Sequence, residues 1–318
     1  MDTMRDRFTD VAIRLLEEDD RVAIVLADIG VSRFDRTTAP ERVFNVGIRE
    51  QLLIGFAGGL ALAGMKPIAH SYTPFLIERP FEQIKLDLTH QGVGAVLVSI
   101  GGSFDTAGEG RTHQAPGDVA LMASLPGWEI HIPGHPDEVE EVLLRAVRGD
   151  GRVYIRLSED TNRRAYPYRR ISQVRHGTEF TVIAVGPMLD PVLDAVEHMD
   201  ARVLYVSTVT LLDDELSKHL TGTDIVLVEP YLEGTSAALV IKGLDRPVRM
   251  LAIGVPNTEH RHYGTGSEHR IAHGLDAPGL RRRIAAFLSR ATHAVDTPTD
   301  DAPSPAHETR SNDEQPVG

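Results

Sequence analysis

The chain has 318 residues, of which 42% are hydrophobic and 25% are charged, a balance typical of a globular protein with two ordinary domains. Its formal net charge of -13 argues against non-specific binding to nucleic acid or to an anionic membrane surface, because phosphate groups would be repelled. The absence of cysteine excludes disulfides, thiolate catalysis and cysteine-ligated metal sites.

Residues 1–20 do not have the pattern of a targeting segment. They are amphipathic and carry charges throughout, without the apolar centre of a signal peptide. No hydrophobic run in the chain approaches the length of a membrane span. We therefore expect a cytoplasmic protein that binds neither nucleic acid nor membrane.

In the first half of the chain, apolar runs typical of buried strands alternate with helical patterns. The strand candidates are residues 22–30, 42–48, 65–72, 94–100, 128–134 and 153–158. The helix candidates are residues 6–19, 49–64, 79–91, 118–125 and 136–149. The segment 49–64 is rich in Leu, Ala and Gly and is interpreted as a buried helix. This alternation predicts a parallel, doubly wound sheet.

The same alternation restarts after a polar segment, residues 159–178, which we interpret as a linker. Further strands are predicted at 180–186, 202–207, 224–230 and 248–254, and further helices at 188–198, 235–243 and 277–290. From residue 292 onward too few apolar residues remain to offset the chain entropy lost on folding. The predicted fold is therefore α/β, with two doubly wound domains at 1–165 and 175–291 and a disordered tail at 292–318.

Glu50 lies at a predicted strand-to-helix junction, within the segment Gly47-Ile48-Arg49-Glu50-Gln51. Ligand sites of doubly wound sheets gather where strands end and the following loops begin. A carboxylate in the first turn of a helix is also stabilised by the helix dipole. Taken alone, the pattern is therefore typical of an acid that only stabilises the helix end.

His113 lies in a second glycine-containing segment, which runs from Gly108 to Gln114 and precedes the predicted helix at 118–125. Glycines permit a tight backbone path and the close approach of a ligand. A histidine in a polar loop is a candidate proton carrier near neutral pH. Without further context, a surface turn is the simpler interpretation.

Other histidines carry less information. His70, at a strand end, is either a core residue or part of a pocket lining. His269 and His273 are four residues apart and would share one face of a helix, but no third metal ligand is evident beside them. The C-terminal half has no phosphate-binding loop of the Walker type and no G-x-G-x-x-G segment.

The order of several segments along the chain is more specific than any one of them. In the first domain they are VLADIG, FNVGIREQ, GFAGGLALAG, KPIAHSYTPFLIERPFEQIKLD, GEGRTHQAPGDVALM and PGWEIHIPGHPDE, and in the second VRMLAIGVP, YGTGS and HGLDAPGL. Over roughly residues 8–290 this series resembles the C-terminal half of transketolase. The resemblance implies a pyrimidine-binding domain of thiamine-diphosphate enzymes followed by a transketolase C-terminal-like domain.

The resemblance also implies a cofactor and a partner. In this family one domain holds the diphosphate of thiamine diphosphate through Mg²⁺ or Ca²⁺, and the pyrimidine domain contacts the aminopyrimidine ring. The G-D-G…N segment of the diphosphate domain is not found in this sequence. A separate N-terminal, diphosphate-binding subunit is therefore expected to hold the metal and share the cofactor, in a heterotetramer in which this chain also self-associates.

The match assigns roles residue by residue. Glu50 matches the carboxyl group that hydrogen-bonds the pyrimidine nitrogen and stabilises the tautomer that accepts the thiazolium proton. Phe75 matches an aromatic residue that stacks on the pyrimidine, although a core phenylalanine is nearly as good an interpretation. His113 matches a histidine that faces the reacting carbon and the substrate hydroxyls. The further residues expected in this pocket are Ile48 and Tyr72 at the cofactor and Arg79 at the substrate.

Four positions depart from the sugar-phosphate enzymes of the family. Glu109 and Arg111 replace an aspartate and a small residue or proline, which would reshape the pocket for the donor. Gly101 and Glu159 align with basic residues that bind the substrate phosphate, and a carboxylate there would repel it. Arg156 is nearby with its orientation undetermined, and it is kept as a substrate-binding candidate. The expected substrate is an unphosphorylated keto compound.

The leading hypothesis is a two-chain transferase that moves a ketol or acyl unit from a 2-keto donor to an aldehyde acceptor. A β-type subunit of a 2-keto-acid dehydrogenase and a deoxyxylulose-phosphate-synthase-like enzyme share the fold and the glutamate, and both stay open. A non-catalytic assembly subunit that kept the fold is the alternative from another class of protein.

Overall fold

The computed structural model describes residues 3–169, 171–211 and 216–295. A first sheet contains the strands β1 Val22–Leu26, β2 Val43–Asn45, β3 Lys66–Tyr72, β4 Ala95–Ile100, β5 Trp128–His131 and β6 Arg152–Arg156. All of them are parallel, in the order β2-β1-β3-β4-β6-β5. The apolar runs form its centre because both faces of a parallel sheet are covered.

Helices cover both faces of the first sheet, as predicted. The first-domain helices are α1 Met4–Glu18, α2 Glu50–Leu62, α3 Phe81–Gln83, α4 Asp118–Ala123 and α5 Pro136–Arg148. One buried apolar cluster contains residues of α1 and α5, and another contains residues of α2 and α4. A right-handed crossover between parallel strands places helices on both sides in this way.

Two helix predictions in this half are only partly correct. The helix expected at 79–91 consists of α3 and a wider turn at 84–90, and a second wider turn, 74–78, precedes it. In these turns amides bond five residues back, as in Arg79 N to Pro74 O at 3.1 Å. Pro80 cannot donate a backbone hydrogen bond and interrupts the helix. The α2 helix is not wholly buried, because its leucines Leu52 and Leu62 are exposed.

The second sheet contains β7 Ser172–Arg175, β8 Phe180–Val185, β9 Ala201–Val206, β10 Asp224–Leu232 and β11 Arg249–Val255, in the order β11-β10-β8-β9-β7. Four of these strands are mutually parallel, and β7 lies antiparallel at the edge. The helices are α6 Leu189–Ala195, α7 Leu216–His219, α8 Ala237–Lys242, α9 Gly266–Ala272 and α10 Ala277–Val295. Both domains are therefore α/β, as predicted.

Two boundaries differ from the prediction. The segment 159–178 is not only a linker, because it contains β7, which pairs with β9. The sequence of β7 is short and mostly polar, so it has no apolar alternation from which an edge strand could be predicted. The α10 helix continues to Val295, beyond the predicted start of the tail at 292. The rest of the predicted disordered tail, 296–318, lies outside the described residues.

The two domains are joined by backbone and side-chain contacts. Ile132 N donates to Ser207 O at 2.7 Å, and Leu232 N donates to Pro116 O at 2.7 Å. Phe104, from the loop after β4, is buried within the apolar cluster of the second domain. The second domain therefore borders the loops that follow the first sheet. Across the described residues, every helix is too short or too polar to span a bilayer.

Candidate active site

The candidate residues meet at the carboxyl edge of the first sheet. Glu50 opens the helix after β2, Tyr72 ends β3, and His113 lies in the loop after β4. The strand order β2-β1-β3-β4 places these three ends along one edge. This is the edge at which doubly wound sheets bind ligands.

The turn before Glu50 is fixed by the side chain of Asn45. Its Oδ1 accepts hydrogen bonds from Gly47 N at 3.0 Å and Asp28 N at 2.9 Å, and its Nδ2 donates to Asp28 Oδ1 at 2.9 Å. An asparagine that bonds its own backbone two residues on forms such a turn. The side chain ties the ends of β1 and β2 together, and Glu50 follows in a buried position, 3% exposed.

Glu50, Arg79 and Phe75 form one stack of contacts. Arg79 Nη1 donates to Glu50 Oε1 at 3.0 Å, and the Arg79 guanidinium carbon lies 3.9 Å from the centroid of the Phe75 ring. Arg79 is 44% exposed at its side chain, whereas the Glu50 side chain is 4% exposed. A planar cation therefore lies against both an aromatic face and a buried carboxylate, and it reaches them from the solvent-exposed side of the pocket.

His113 packs against the two aromatic residues of this stack. Its ring centroid lies 4.9 Å from that of Phe75 and 5.5 Å from that of Tyr72, both edge to face. Its Nδ1 lies 3.0 Å from Thr112 Oγ1, and among the described residues its Nε2 has no hydrogen-bond partner. Edge-to-face packing orients the ring, and it leaves Nε2 to exchange a proton with a bound molecule.

The pocket presents an aromatic face, Phe75, and a buried carboxyl group, Glu50, to the same flat group. The Arg79 guanidinium makes both contacts, because it stacks on Phe75 and donates to Glu50. A flat heterocycle with a ring nitrogen, such as an aminopyrimidine, would suit the same two contacts. Glu50, Phe75, His113, Tyr72 and Arg79, which the sequence analysis assigned to one pocket, lie together in this structure.

Three other candidates lie outside this cluster. Ile48, two residues before Glu50, is 70% exposed to solvent, and Glu109 is also exposed. Arg111 is directed toward the second domain, with Nε 3.3 Å from Glu259 Oε1 and Nη1 donating to Gln114 O at 2.8 Å. Within the described residues, none of the three hydrogen-bonds Glu50 or His113.

Arg156, predicted as a substrate-binding candidate, is part of a buried hydrogen-bond network. It is 1% exposed. Its Nε donates to Asp118 Oδ2 at 2.8 Å and its Nη2 to Ser103 Oγ at 2.7 Å, and Tyr154 OH donates to the same Asp118 oxygen at 2.6 Å. These bonds join β6, α4 and the loop after β4, which is a structural arrangement.

The two positions aligned with a phosphate site hold no base. Gly101 has φ of +72°, and a Cβ there would lie 2.6 Å from Tyr72 Cδ1, so a longer side chain would displace Tyr72. Glu159 is exposed, and its amide donates to Asp105 Oδ2 at 3.1 Å. Burial raises the pKa of Asp105 to about 7 and also raises the pKa of Asp160. Carboxyl groups therefore crowd this position.

Three other histidines, His70, His269 and His273, pack against aromatic side chains. His70 is buried against Phe8, with ring centroids 4.7 Å apart, and burial lowers its pKa to about 3, so it is neutral. His269 and His273 both stack on Phe104. Within 3–169, 171–211 and 216–295, no group of three or more potential ligands is placed to hold a metal ion.

Two residues that shape this site were not predicted from the sequence. Asn45 was not singled out, although an asparagine two residues before a glycine is a known turn signal. Gln114 is wholly buried beside His113, and its side chain contacts a loop of the second domain. No local pattern reveals that contact, because its two ends are 148 positions apart in the chain.

Comparisons with known proteins give relatives of the same architecture. The family model described as "Transketolase, pyrimidine binding domain" matches residues 2–164. The chain is 47% identical to an "Uncharacterized 33.6 kDa protein in fasciation locus" of Rhodococcoides fascians, over 86% of this chain and 91% of that protein. It is 29% identical to the "6-deoxy-6-sulfo-D-fructose transketolase subunit SqwH" of Clostridium sp. (strain MSTE9), over 79% of this chain and 84% of that protein.

Longer relatives match over part of their length. The chain is 28% identical to 1-deoxy-D-xylulose-5-phosphate synthase 1 of Geobacter metallireducens, over 88% of this chain and 48% of that protein, so it spans about half of that relative. Among solved structures, one described as "Split gene transketolase, inactive beta4 tetramer" matches with a TM-score of 0.75 and 24% identity, over 90% of this chain and 98% of that chain. At that identity the likeness establishes the fold.

Proposed function

This chain belongs to the transketolase family through its pyrimidine-binding domain, and from that premise we propose that it carries the catalytic carboxyl of a thiamine-diphosphate-dependent transferase. The family uses thiamine diphosphate, and its transketolase members are transferases. The observation that carries the proposal is the buried Glu50 carboxyl beside the face of Phe75, with a flat hydrogen-bond donor against both. The reaction is the transfer of a ketol or acyl unit from a 2-keto donor to an aldehyde acceptor.

Each residue of the pocket has a distinct task. Thiamine diphosphate, when bound, supplies the carbon nucleophile that carries the transferred unit. Glu50 would hold a hydrogen-bonded proton at a ring nitrogen of the pyrimidine, and its buried position would keep water from competing for that bond. Phe75 provides the stacking face. His113 Nε2 exchanges a proton with an oxygen of the substrate, and the Tyr72 ring orients the imidazole.

Arg79 competes with the cofactor in this proposal, because it holds the contacts that the pyrimidine needs. We expect Arg79→Ala to tighten thiamine diphosphate binding by about three- to tenfold, because a cation–π contact and a half-exposed ion pair together contribute ~1 kcal/mol. Calorimetric titration of the assembled complex measures this affinity. Arg49→Ala, at an exposed neighbour with no side-chain capping bond, is the matched control. Weaker binding in Arg79→Ala would show that the guanidinium supports the cofactor.

A partner subunit that holds the diphosphate and its metal ion is the second part of the proposal. A relative matched over most of its length is named as a transketolase subunit. The leucines Leu52 and Leu62 of α2, together with Ile48 and Leu86, are exposed large apolar side chains. Exposed apolar surface of this kind is typical of subunit contacts. Association of this chain with further copies of itself agrees with the tetramer named for the solved split-gene structure, which has the same fold.

The donor in this proposal carries no phosphate. Tyr72 fills the space beside Gly101, and the carboxyl groups of Asp105, Glu159 and Asp160 surround the other position expected to bind phosphate. Like charges at a contact cost up to several kcal/mol.

We therefore expect kcat/KM for an unphosphorylated ketose to exceed that for its 5-phosphate by about tenfold or more. Steady-state kinetics of the chain with its partner, thiamine diphosphate and Mg²⁺ measures both donors side by side with one aldehyde acceptor. Omission of thiamine diphosphate is the control and should abolish turnover of either donor. Efficient use of xylulose 5-phosphate would contradict the substrate assignment and leave the cofactor assignment intact.

A deoxyxylulose-phosphate-synthase-like activity is the second candidate, favoured by the similarity to 1-deoxy-D-xylulose-5-phosphate synthases over most of this chain. The test for it uses pyruvate, a 2-keto acid that loses CO₂ when its acyl unit is transferred. Release of CO₂ from pyruvate in the same assay, without turnover of ketoses, would select this candidate.

A further inference from the structure

A loop of the second domain, residues 259–264, covers the loop that carries His113. Gln114 is wholly buried, and its Nε2 donates to His262 O at 3.1 Å. The Tyr263 ring lies across Gly110, where a Cβ would come within 2.5 Å of Tyr263 Cε1. The His113 loop therefore contacts 259–264 on both sides of the histidine, through the backbone of Gly110 and the side chain of Gln114.

The loop 259–264 is in turn held by a buried histidine of α9. His269 Nε2 contacts Tyr263 O at 3.0 Å, and because a carbonyl only accepts, His269 carries its proton on Nε2. The His269 ring stacks on Phe104 of the first domain, with centroids 4.3 Å apart and planes 9° apart. Two successive carbonyls, of His262 and Tyr263, are thus bonded to the His113 loop and to α9 respectively.

We propose that the second domain positions His113, with Gln114 and His269 as positioning residues that act through the loop 259–264. This assignment rests on the proposed function, in which His113 contacts the substrate. The His113 ring is oriented by edge-to-face packing on Tyr72 and Phe75 and by Thr112 of its own loop, so the position of the ring depends on the position of that loop. Rigid support behind a catalytic loop matters because a displacement of about 1 Å can cost ~100-fold in rate.

His273 provides a matched control for His269. Its ring also stacks on Phe104, with centroids 4.9 Å apart, but its Nε2 is buried without a hydrogen-bond partner in the described part of the chain. Burial lowers its pKa to about 4, so His273→Phe removes no charge at neutral pH. His269→Phe and His273→Phe therefore retain the same aromatic packing, and only the first loses the bond to 259–264.

The first measurement is hydrogen–deuterium exchange of the peptide containing residues 107–114, in the full chain without cofactor. We expect exchange in His269→Phe and in Gln114→Glu to be about tenfold faster than in the wild type. The His113 loop should open more easily when a hydrogen bond to or from the loop 259–264 is lost. His273→Phe should exchange like the wild type, and His269→Gln, which keeps a donor of similar reach, should restore slow exchange. Equal exchange in His269→Phe and His273→Phe would overturn the proposal.

The second measurement is kinetic and uses the assembled enzyme. His269→Phe should lower kcat by about tenfold while KM and the affinity for thiamine diphosphate change little, because the Glu50 pocket is untouched. An equal fall in His273→Phe would indicate general destabilisation and overturn the proposal. If the complex proves indifferent to thiamine diphosphate, the proposed function fails, and the exchange measurement still decides the role of the second domain.

Discussion

Glu50→Gln is expected to lower kcat of the assembled enzyme by about a thousandfold, within the range that a positioned acid–base group contributes. Glutamine has nearly the shape of glutamate but cannot exchange a proton with the pyrimidine nitrogen. The fold should be retained, because the partner of the lost carboxylate, Arg79, is 44% exposed and can be hydrated where it stands. The loss would therefore reflect chemistry.

Initial-rate kinetics at saturating thiamine diphosphate measure this effect, with cofactor affinity determined separately by titration. Glu82→Gln, the same substitution at an exposed position of α3, is the control and should leave the rate unchanged. Unchanged activity of Glu50→Gln would contradict the proposed function and favour the interpretation of this chain as a non-catalytic assembly subunit.

Arg156→Leu is expected to destabilise the fold by about 3–5 kcal/mol, because it leaves the Asp118 carboxylate buried without its cation. Asp118 is fully buried, its Oδ1 has no hydrogen-bond partner among the described residues, and its Oδ2 would retain only the bond from Tyr154. An unpaired carboxylate in such a place must bind a proton or unfold its surroundings.

Urea unfolding at pH 7, followed by circular dichroism, measures this free energy. Arg163→Leu is the control, because Arg163 pairs with Asp190 and Asp194 at the surface, where such pairs contribute about 1 kcal/mol or less. The double variant Arg156→Leu/Asp118→Leu should recover part of the loss, since no unpaired charge is left. Wild-type stability of Arg156→Leu with a raised KM for the donor would instead assign Arg156 to the substrate.

The fold class follows from patterns that each segment carries by itself. Apolar runs such as 22–26 and 95–100 must be covered on both faces, and the helical spacing between them supplies the cover, so a doubly wound architecture could be predicted. The strand β7 could not, because an antiparallel edge strand needs no apolar face and Ser172–Arg175 has none. The exposed side of α2 could not be predicted either, since an apolar composition does not distinguish a helix face that is exposed from one that is packed in a core.

For the candidate site, too, some features could be predicted from the sequence and others depend on the tertiary structure. The sequence by itself determined the place of Glu50 and His113, because a strand-to-helix junction and a glycine-bounded loop are local features whose order along the chain is specific. Only the tertiary structure decided that Arg79 lies on Phe75 and that Arg156 is buried with Asp118. It also decided that Gln114 meets a loop 148 positions away. The physical reason is that chain periodicity reports which face of an element is buried, whereas the partner it is buried against depends on how whole elements pack.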